Sequence, residues 1–184
     1  MRVIAGSCKG QRLQAPSRRA ATTRPTSDRV KTIMFDILGA RTRDAQALDL
    51  FAGTGALGIE ALSRGASAVD FVESERDAVQ LIHRNLRATH LENHARVIIR
   101  DAFAFLADRP ESSPYTLVFA DPPYAQGLAE QMLDLLTRQP RLAPGAWVVV
   151  EESARVQSLR VPQALHLLRQ RAIGDTALYF YETA

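Results

Sequence analysis

From residue 46 onward, short apolar runs alternate with amphipathic segments, and this alternation restricts the fold more than any other feature of the chain. Branched and aromatic residues predict five short strands, at 47–51, 68–73, 96–100, 116–120 and 147–151. Apolar residues at helical spacing predict the intervening helices, at 56–64, 75–89, 102–107 and 128–138. Strands joined through helices run parallel, and the helices cover both faces of their sheet.

The carboxyl-terminal end departs from this alternation. Residues 165–171 and 177–181 have the composition of strands and are separated only by a short turn at 173–175, which predicts an antiparallel hairpin. Together these elements predict an α/β protein with a doubly wound, mostly parallel sheet of seven strands. A chain of 184 residues with 46% hydrophobic residues can bury such a core in one domain. We therefore divide the chain into a core at 44–184 and an amino-terminal extension at 1–43.

The extension is predicted to pack on this core as a small β-hairpin followed by a helix. Its predicted elements are strands at 2–6 and 10–15, a loop at 17–27 and a helix from about residue 27 to residue 39. Arg29 and Lys31 lie off the apolar stripe of this helix, so we expect both side chains to face solvent or a ligand.

Positive charge is concentrated in the extension. It holds ten basic residues against Asp28 and Asp36, a net charge of +8, whereas the remaining 13 basic and 18 acidic residues give −5. The ten are Arg2, Lys9, Arg12, Arg18, Arg19, Arg24, Arg29, Lys31, Arg41 and Arg43. Clustered cations gain free energy by displacing counterions from phosphates, which favours a polyanion as partner. A basic surface that only keeps the protein soluble is the simpler alternative.

A glycine-rich segment, DLFAGTGALGIEAL at 49–62, joins the first predicted core strand to the first core helix. Gly53, Gly55 and Gly58 are spaced as G-x-G-x-x-G, which allows a tight turn and brings a ligand close to free N–H groups at the helix start. Glu73 ends the next strand, where a carboxylate can accept hydrogen bonds from both hydroxyls of a ribose. In this position the pattern indicates a nucleoside-containing ligand.

Acidic residues discriminate between the two ligands that such a loop can serve, a dinucleotide and S-adenosylmethionine. Asp49, four residues before the first glycine, would repel a pyrophosphate but favours a methyl donor that carries an ammonium and a sulfonium. Asp101 can accept from an adenine amino group while the Ala102 N–H donates, and Asp101 can also cap the short helix that follows. Asp49, Glu73, Asp101 and Asp121 follow four successive strands, at the edge where open parallel sheets bind ligands. We therefore expect S-adenosylmethionine as the cofactor.

These features resemble the class I, Rossmann-like methyltransferases that use S-adenosylmethionine to modify exocyclic or amide nitrogens. The resemblance lies in DLFAGTG at 49–55, Glu73, Asp101 and DPPY at 121–124. In that group the DPPY-type motif grips a planar amino nitrogen, whose delocalised lone pair makes it a poor nucleophile. Hydrogen bonds to the Asp121 carboxylate and the Pro122 carbonyl would favour a pyramidal nitrogen that aims its lone pair at the methyl group. Pro123 helps to fix the direction of that carbonyl, and Tyr124 can stack on a base taken out of its helix.

Four longer stretches resemble the RsmD family of bacterial 16S ribosomal RNA guanine-N2 methyltransferases. They are RVIAGSCKGQRLQAP at 2–16, TRPTSDRVKTIMFDIL at 23–38, ALDLFAGTGALGIEALSRGA at 47–66 and GDTALYFY at 174–181. The resemblance implies methylation of guanine 966 of 16S rRNA in the small subunit or its assembly intermediate, with S-adenosylhomocysteine as the second product. It also implies that Arg24 and Arg29 lie beside the cofactor pocket.

The predicted site has three parts. Catalysis is assigned to Asp121, Pro122, Pro123 and Tyr124. Cofactor binding is assigned to Asp49, Phe51, Gly53, Thr54, Gly55, Glu73, Ser74, Asp101 and Ala102. RNA binding is assigned to Lys9, Arg12, Arg18, Arg19, Arg24 and Arg29. We expect specificity to come from ribosomal shape and the flipped base, since a basic arm reads little sequence.

Competing chemistries have weaker support in the sequence. Cys8 is the only cysteine and lies far from DPPY, so internal disulfides are excluded and methylation at carbon 5 lacks its nucleophile. His90, Glu92 and His94 do not follow the order H-E-x-x-H, and we expect no metal. Three alternatives stay open: methylation of another exocyclic amino group such as adenine N6, a nucleotide-dependent oxidoreductase, and a non-catalytic RNA-binding assembly factor.

The sequence also bears on location. No apolar run approaches the roughly 20 residues of a membrane span, and the first residues lack the apolar core of a signal peptide. We therefore expect a cytoplasmic protein without a membrane partner. We also expect a monomer, because no exposed apolar stripe demands a second subunit.

Overall fold

The computed structural model describes residues 1–15, 27–109, 114–124 and 127–183, and within them seven strands form one sheet. In chain order the strands are β1 (Gln46–Leu50), β2 (Ala68–Glu73), β3 (Ala95–Ile99), β4 (Tyr115–Ala120), β5 (Leu142–Ser153), β6 (Leu165–Ile173) and β7 (Thr176–Thr183). The α-helices are α1 (Asp28–Leu38), α2 (Ala56–Ser63), α3 (Arg76–Thr89), α4 (Ala102–Ala107) and α5 (Leu128–Arg138). The strand order is β3-β2-β1-β4-β5-β7-β6, with β1 to β5 parallel and the last two strands antiparallel. The predicted doubly wound, mostly parallel sheet of seven strands is confirmed.

Helices cover both faces of this sheet. Helices α1, α2 and α3 share one buried cluster, in which the ring of Phe35 in α1 lies 5.5 Å from that of Phe119 in β4. Helices α4 and α5 share the cluster on the other face, with Leu106 and Leu133 among its buried residues. Strand β4 is therefore buried on both sides, as its continuous apolar run predicts. In the described part of the chain, no helix is long and apolar enough to cross a membrane.

The register of the three central strands aligns their carboxyl ends. Leu50 of β1, Ala120 of β4 and Val150 of β5 lie in one row. The residues that come next in the three chains are Phe51, Asp121 and Glu151. Because these strands are parallel neighbours, the glycine loop after β1 and the DPPY turn after β4 leave the sheet side by side.

The start of β5 lies earlier than predicted. The strand begins at Leu142 rather than at Trp147, and Leu142 pairs with Tyr115 ahead of an irregularity in the β4–β5 register. Pro144 and Gly145 lie inside this stretch, and Gly145 has a φ of 70°. These two residues conceal the start of the strand, since both are normally found outside regular strands.

The amino-terminal hairpin has less strand structure than the two predicted strands. Arg2 and Arg12 form an isolated antiparallel bridge, the one bridge outside named strands in the described residues. The N–H groups of Ile4 and Ala5 donate to the Glu60 carboxylate of α2, at 2.7 and 3.0 Å. Strand pairing is short because these donors anchor the segment to the core instead of to an opposite strand.

Lys31 does not face solvent or a ligand, and that prediction is wrong. Its side chain is fully buried, with Nζ 3.6 Å from the Glu60 carboxylate and donating to the Arg2 carbonyl at 2.5 Å. Burial lowers the pKa of Lys31, and the charge of Glu60 opposes that effect. The apolar pattern of α1 could not predict that Lys31 is buried, because the acid that compensates its charge lies on another helix, α2. Arg29 is exposed, as predicted.

Candidate active site

The loop that follows β1 has an unusual backbone conformation. Phe51, Gly53 and Gly55 all have positive φ, at 59°, 56° and 75°. Glycine adopts such angles freely, but an aromatic residue does so at a cost of roughly 1–3 kcal/mol. The Gly55 N–H donates to the Ala52 carbonyl at 2.7 Å and closes a tight turn. The rest of the structure must therefore stabilise the costly backbone conformation of Phe51, which keeps the loop in this one shape.

Gly58 has a packing role that differs from that of the loop glycines. A Cβ atom at Gly58 would lie 2.3 Å from the Phe71 ring and 2.9 Å from Val69, so α2 packs against β2 at a distance that only glycine permits. At Gly53, by contrast, the nearest atom to such a Cβ is the Phe51 carbonyl oxygen at 3.9 Å. Gly58, the third glycine of the motif, therefore allows the close packing of α2 on β2. Gly53, the first glycine, leaves open space next to the loop.

Asp49 lies beneath the loop rather than on its surface. Its side chain is 2% exposed, and Oδ2 accepts a hydrogen bond from the Gly58 N–H at 2.9 Å. Burial raises the pKa of Asp49 to about 8, an effect that the hydrogen bond from Gly58 partly offsets. The carboxyl group therefore holds the start of α2, and its predicted contact with a cofactor stays a prediction.

Glu73, at the end of β2, holds the other side of the same loop. Oε2 accepts from the Gly53 N–H at 2.7 Å and Oε1 accepts from the Glu75 N–H at 2.9 Å. Each carboxylate oxygen can accept a second hydrogen bond, so the predicted bonds to ribose hydroxyls are compatible with both contacts. Ser74, which follows, is exposed.

Asp101 and Ala102 follow β3, whose last residue, Ile99, pairs with Glu73. Asp101 is exposed, and its Oδ1 accepts from the Ala104 N–H at 2.9 Å, which confirms its predicted role as the N-cap of α4. Ala102 is buried, and the ring of Phe103 meets that of Phe51 edge to face, with centroids 5.7 Å apart. The two rings provide an apolar wall between the loop after β1 and the turn after β3.

The carbonyl of Thr54 is held by Asn85, a residue that the sequence analysis missed. Asn85 is fully buried in α3, and its Nδ2 donates to the carbonyls of Thr54 at 2.9 Å and Gln14 at 3.1 Å. Its Oδ1 accepts from the Gln14 N–H at 2.7 Å. An amide inside the buried stripe of an amphipathic helix was the available signal, because such a group needs polar partners. Asn85 thus joins the extension to the glycine loop.

The DPPY turn begins directly after β4. Asp121 is partly buried, Pro122 is buried and Pro123 is exposed. The Tyr124 hydroxyl donates to Oε1 of Glu151 at 2.8 Å and lies 3.3 Å from the Thr176 hydroxyl. Burial raises the pKa of Tyr124, which keeps the hydroxyl protonated as a donor. The Tyr124 side chain is therefore fixed at its tip while the residue stays 38% exposed.

Glu151 and Thr176 are further residues near the DPPY turn that were not predicted from the sequence. Glu151 is 3% exposed and follows the apolar run of β5, so it extends the series of acids at the carboxyl ends of the strands. Its position at the end of a predicted strand could have identified it as a candidate site residue from the sequence. Thr176 begins β7 and pairs with Ser153, and nothing in the sequence associates it with the turn after β4.

The residues predicted to bind RNA are placed only in part. Lys9, Arg12 and Arg29 are exposed, whereas Arg18, Arg19 and Arg24 lie outside the described residues. The Thr54 hydroxyl lies 3.8 Å from the Met1 sulfur, so the start of the extension reaches the glycine loop. His90 is the C-cap residue of α3, and the described residues hold no group of three acids, histidines or cysteines that could bind a metal.

Comparisons with known proteins agree with this geometry. A family model described as Conserved hypothetical protein 95 matches residues 1–182. Ribosomal RNA small subunit methyltransferase D of Escherichia coli K12 is 38% identical over 182 residues, which cover 99% of this chain and 89% of the relative. YlbH of Bacillus subtilis is 36% identical over 183 residues, 99% of this chain and 98% of the relative. The solved structure of YhhF from Escherichia coli has a TM-score of 0.87 at 36% identity and covers 100% of this chain and 97% of its own. The chain therefore belongs to the RsmD family of methyltransferases.

Proposed function

We propose that this protein transfers a methyl group from S-adenosylmethionine to the exocyclic N2 of a guanine in 16S rRNA, at the position corresponding to guanine 966. The observation that carries the proposal is the alignment of two turns: the glycine loop after Leu50 and the DPPY turn after Ala120 leave neighbouring strands in the same row. A methyl donor held by the first turn would face an amino group held by the second. The name of the Escherichia coli relative supports ribosomal RNA as the substrate.

The residues at the loop fit the methyl donor. Gly53 leaves open space where a side chain would stand, Glu73 can bind the ribose, and Asp101 can accept from the adenine amino group. When bound, S-adenosylmethionine supplies an electrophilic methyl group on a positively charged sulfur. The carboxylates of Glu73, Asp101 and Asp121 along this edge favour such a cation, and the Phe51–Phe103 wall offers an apolar surface to the adenine.

Asp121 and Pro122 prepare the target nitrogen. The Asp121 carboxylate and the Pro122 carbonyl accept hydrogen bonds from the two N–H groups, so that the lone pair is directed toward the methyl group rather than into the ring. The carboxylate also offers an acceptor for the proton that the methylated nitrogen releases. Orientation and electrostatics supply the catalysis, and no covalent intermediate with the protein is required.

Tyr124 holds the flipped base by stacking. Its hydrogen bond to Glu151 fixes the ring, so little side-chain entropy is lost when a base binds. Stacking of this kind contributes roughly 1–3 kcal/mol, which offsets much of the cost of taking the base out of its helix.

The extension supplies affinity for the RNA. Lys9, Arg12 and Arg29 are exposed cations of the extension, and they contact phosphates with strong dependence on salt. We place the enzyme in the cytoplasm as a monomer, acting on the small subunit or its assembly intermediate. The choice of guanine rests on the family, because DPPY can serve several exocyclic amino groups.

The test incubates unmethylated small subunits with the protein and labelled S-adenosylmethionine, and maps the product by nuclease digestion and mass spectrometry. We expect Asp121→Ala to lower methyl transfer by roughly a hundredfold or more. Calorimetry should show cofactor binding close to that of the wild type. Asp36→Ala, on the exposed side of α1, is the matched control and should keep full activity. Full activity of Asp121→Ala would overturn the role of Asp121.

Other outcomes identify the alternatives. Binding of NAD without S-adenosylmethionine would indicate an oxidoreductase. RNA affinity without methyl transfer would indicate an assembly factor. A methyl group mapped to adenine N6 would keep the chemistry but change the base.

A further inference from the structure

Strand β6 forms one edge of the sheet and carries two arginines that the proposed function leaves without a role. Arg169 and Arg171 are both exposed. Within the described residues neither guanidinium forms a hydrogen bond or an ion pair with another side chain. We refer to these two residues as the β6 arginine pair.

The sheet register relates the β6 arginine pair to the target site. Arg171 lies opposite Leu178 of β7, and Leu178 lies opposite Glu151 of β5. Glu151 binds the hydroxyl of Tyr124. Two strand spacings, together about 10 Å, therefore separate the backbone of Arg171 from that of the residue that fixes the stacking tyrosine.

Strand alternation places the pair on one face of the sheet. Arg169 lies opposite Phe180 and Arg171 opposite Leu178, and both partners belong to the cluster beneath α1. Residues directly opposite in an antiparallel pair share a face. Gln170, between the arginines, hydrogen-bonds the hydroxyl of Tyr179 on the other face. Both arginines therefore lie on the α1 side of the sheet, which is also the side that carries the extension.

The nearby charges leave this edge positive. Arg155 is exposed and follows Ala154, whose N–H donates to the carbonyl of Asp175 in the β6–β7 turn. Asp175 is the acid of that turn, and Glu182, at the opposite end of β7, is occupied by Arg41 at 3.3 Å. Among the exposed side chains at this end, Arg155, Arg169 and Arg171 outnumber the one acid, Asp175, because Glu151 and Glu152 of β5 are buried. Such an exposed surface favours an anionic partner.

We propose that the β6 arginine pair contacts the RNA backbone next to the flipped nucleotide, as a second cationic surface separate from the exposed cations of the extension. The inference rests on the proposed function, since it names how the same substrate is held. A base bound between Asp121 and Tyr124 leaves its neighbouring phosphates outside the pocket, and the pair lies on the side away from the cofactor loop. Guanidinium groups suit this contact because they bind phosphate oxygens in a bidentate manner.

The experiment compares Arg169→Gln/Arg171→Gln with the wild type. Binding of a fluorescein-labelled synthetic RNA hairpin is followed by anisotropy over a series of salt concentrations. We expect weaker binding and a log–log salt slope that is smaller by about 0.7 for each lost phosphate contact. With small subunits as substrate, KM should rise while kcat and the affinity for S-adenosylmethionine stay unchanged. The Arg169→Lys/Arg171→Lys variant should regain most of the slope, because it keeps both charges.

A matched control removes the same charge elsewhere. Arg109 and Arg138 are exposed near the amino ends of the strands, far from the target site, and Arg109→Gln/Arg138→Gln should keep the wild-type salt slope. If Arg169→Gln/Arg171→Gln keeps the wild-type salt slope of RNA binding while the wild type methylates small subunits, the β6 arginine pair does not contact the RNA and the proposed function stands. If the wild type transfers no methyl group but the β6 variant loses slope, the surface stands and the proposed function fails. Absence of any RNA binding by the wild type would overturn both.

Discussion

Asp49 shows how one buried side chain can tie the stability of the loop to pH. It lies beneath the glycine loop and accepts from the Gly58 N–H, with a pKa raised to about 8 by burial. In the unfolded chain an aspartate titrates near 3.9. Between these values the folded protein keeps a proton that the unfolded chain has lost, so folding becomes less favourable as pH rises.

Asp49→Asn is expected to remove this pH dependence. Asparagine can still accept from Gly58 but cannot ionise. The free energy of unfolding of the wild type should fall relative to the variant as pH rises from about 4 to about 8, by up to about 1.4 kcal/mol per pH unit. Urea unfolding of both proteins across this range measures the difference. Parallel stability curves of the two proteins from about pH 5 to about pH 8 would show that Asp49 titrates normally.

Residues of the candidate site were predictable from the sequence where a motif contains them, and not where only the fold brings them to the site. Asp121 and Tyr124 follow from DPPY, whereas Thr176 reaches Tyr124 only because β7 runs antiparallel beside β5. Glu60 was also missed. It is the one charged residue in the buried stretch of α2, and a charge in such a helix requires a partner, which here is Lys31.

At the level of elements, the core strands and helices follow from the sequence because their apolar periodicity is uninterrupted. The structure of the extension could not be predicted in the same way. Val3 and Leu13 are buried in the cluster shared with α1, α2 and α3, but few backbone bonds join them as strands. Side chains of α2 and α3 take up the polar groups of this segment, and such contacts between distant parts of a chain leave no periodic pattern.

Gly6 and Gly10 allow the anchoring of the hairpin to be tested. Both have a φ of 86°, but a Cβ at Gly6 would lie 1.7 Å from the Ser63 carbonyl oxygen, whereas Gly10 has open space. Gly10→Ala should therefore cost only the strain of the left-handed backbone, about 1–2 kcal/mol. Gly6→Ala should cost about 1–3 kcal/mol more, because the segment must move away from α2 and lose the bond from Ser7 N–H to Ser63.

Urea unfolding measures both costs, and limited proteolysis within residues 1–15 reports whether the segment has detached. The two variants share the same backbone strain, so their difference isolates the contact with Ser63. Equal stabilities of the two variants would show that α2 does not hold the hairpin at this point.

Across the whole molecule, the sheet order brings three separate parts of the chain to one edge. Strands β1 and β4 place the glycine loop beside the DPPY turn, and β7 brings Thr176 to Tyr124 from the far end of the sequence. The extension reaches the same loop from the other side through Asn85, which binds both Gln14 and Thr54. The site therefore depends on the extension as well as on the sheet.

The extension has a structural role through its buried residues, and we propose a separable RNA-binding role through its exposed cations. Leu13 is 6% exposed, and its neighbour Arg12 is exposed, as is Lys9. Leu13→Ala should lower the free energy of unfolding by about 2–5 kcal/mol, because it opens a cavity in the core. Lys9→Gln/Arg12→Gln should leave stability unchanged but weaken RNA binding and reduce its salt slope by about 0.7 for each lost phosphate contact. Urea unfolding and RNA anisotropy on both variants give the four values needed. If the charge variant binds RNA as tightly as the wild type at every salt concentration, the extension acts only as a structural brace, and the basic residues that the sequence concentrates there have no part in holding the substrate.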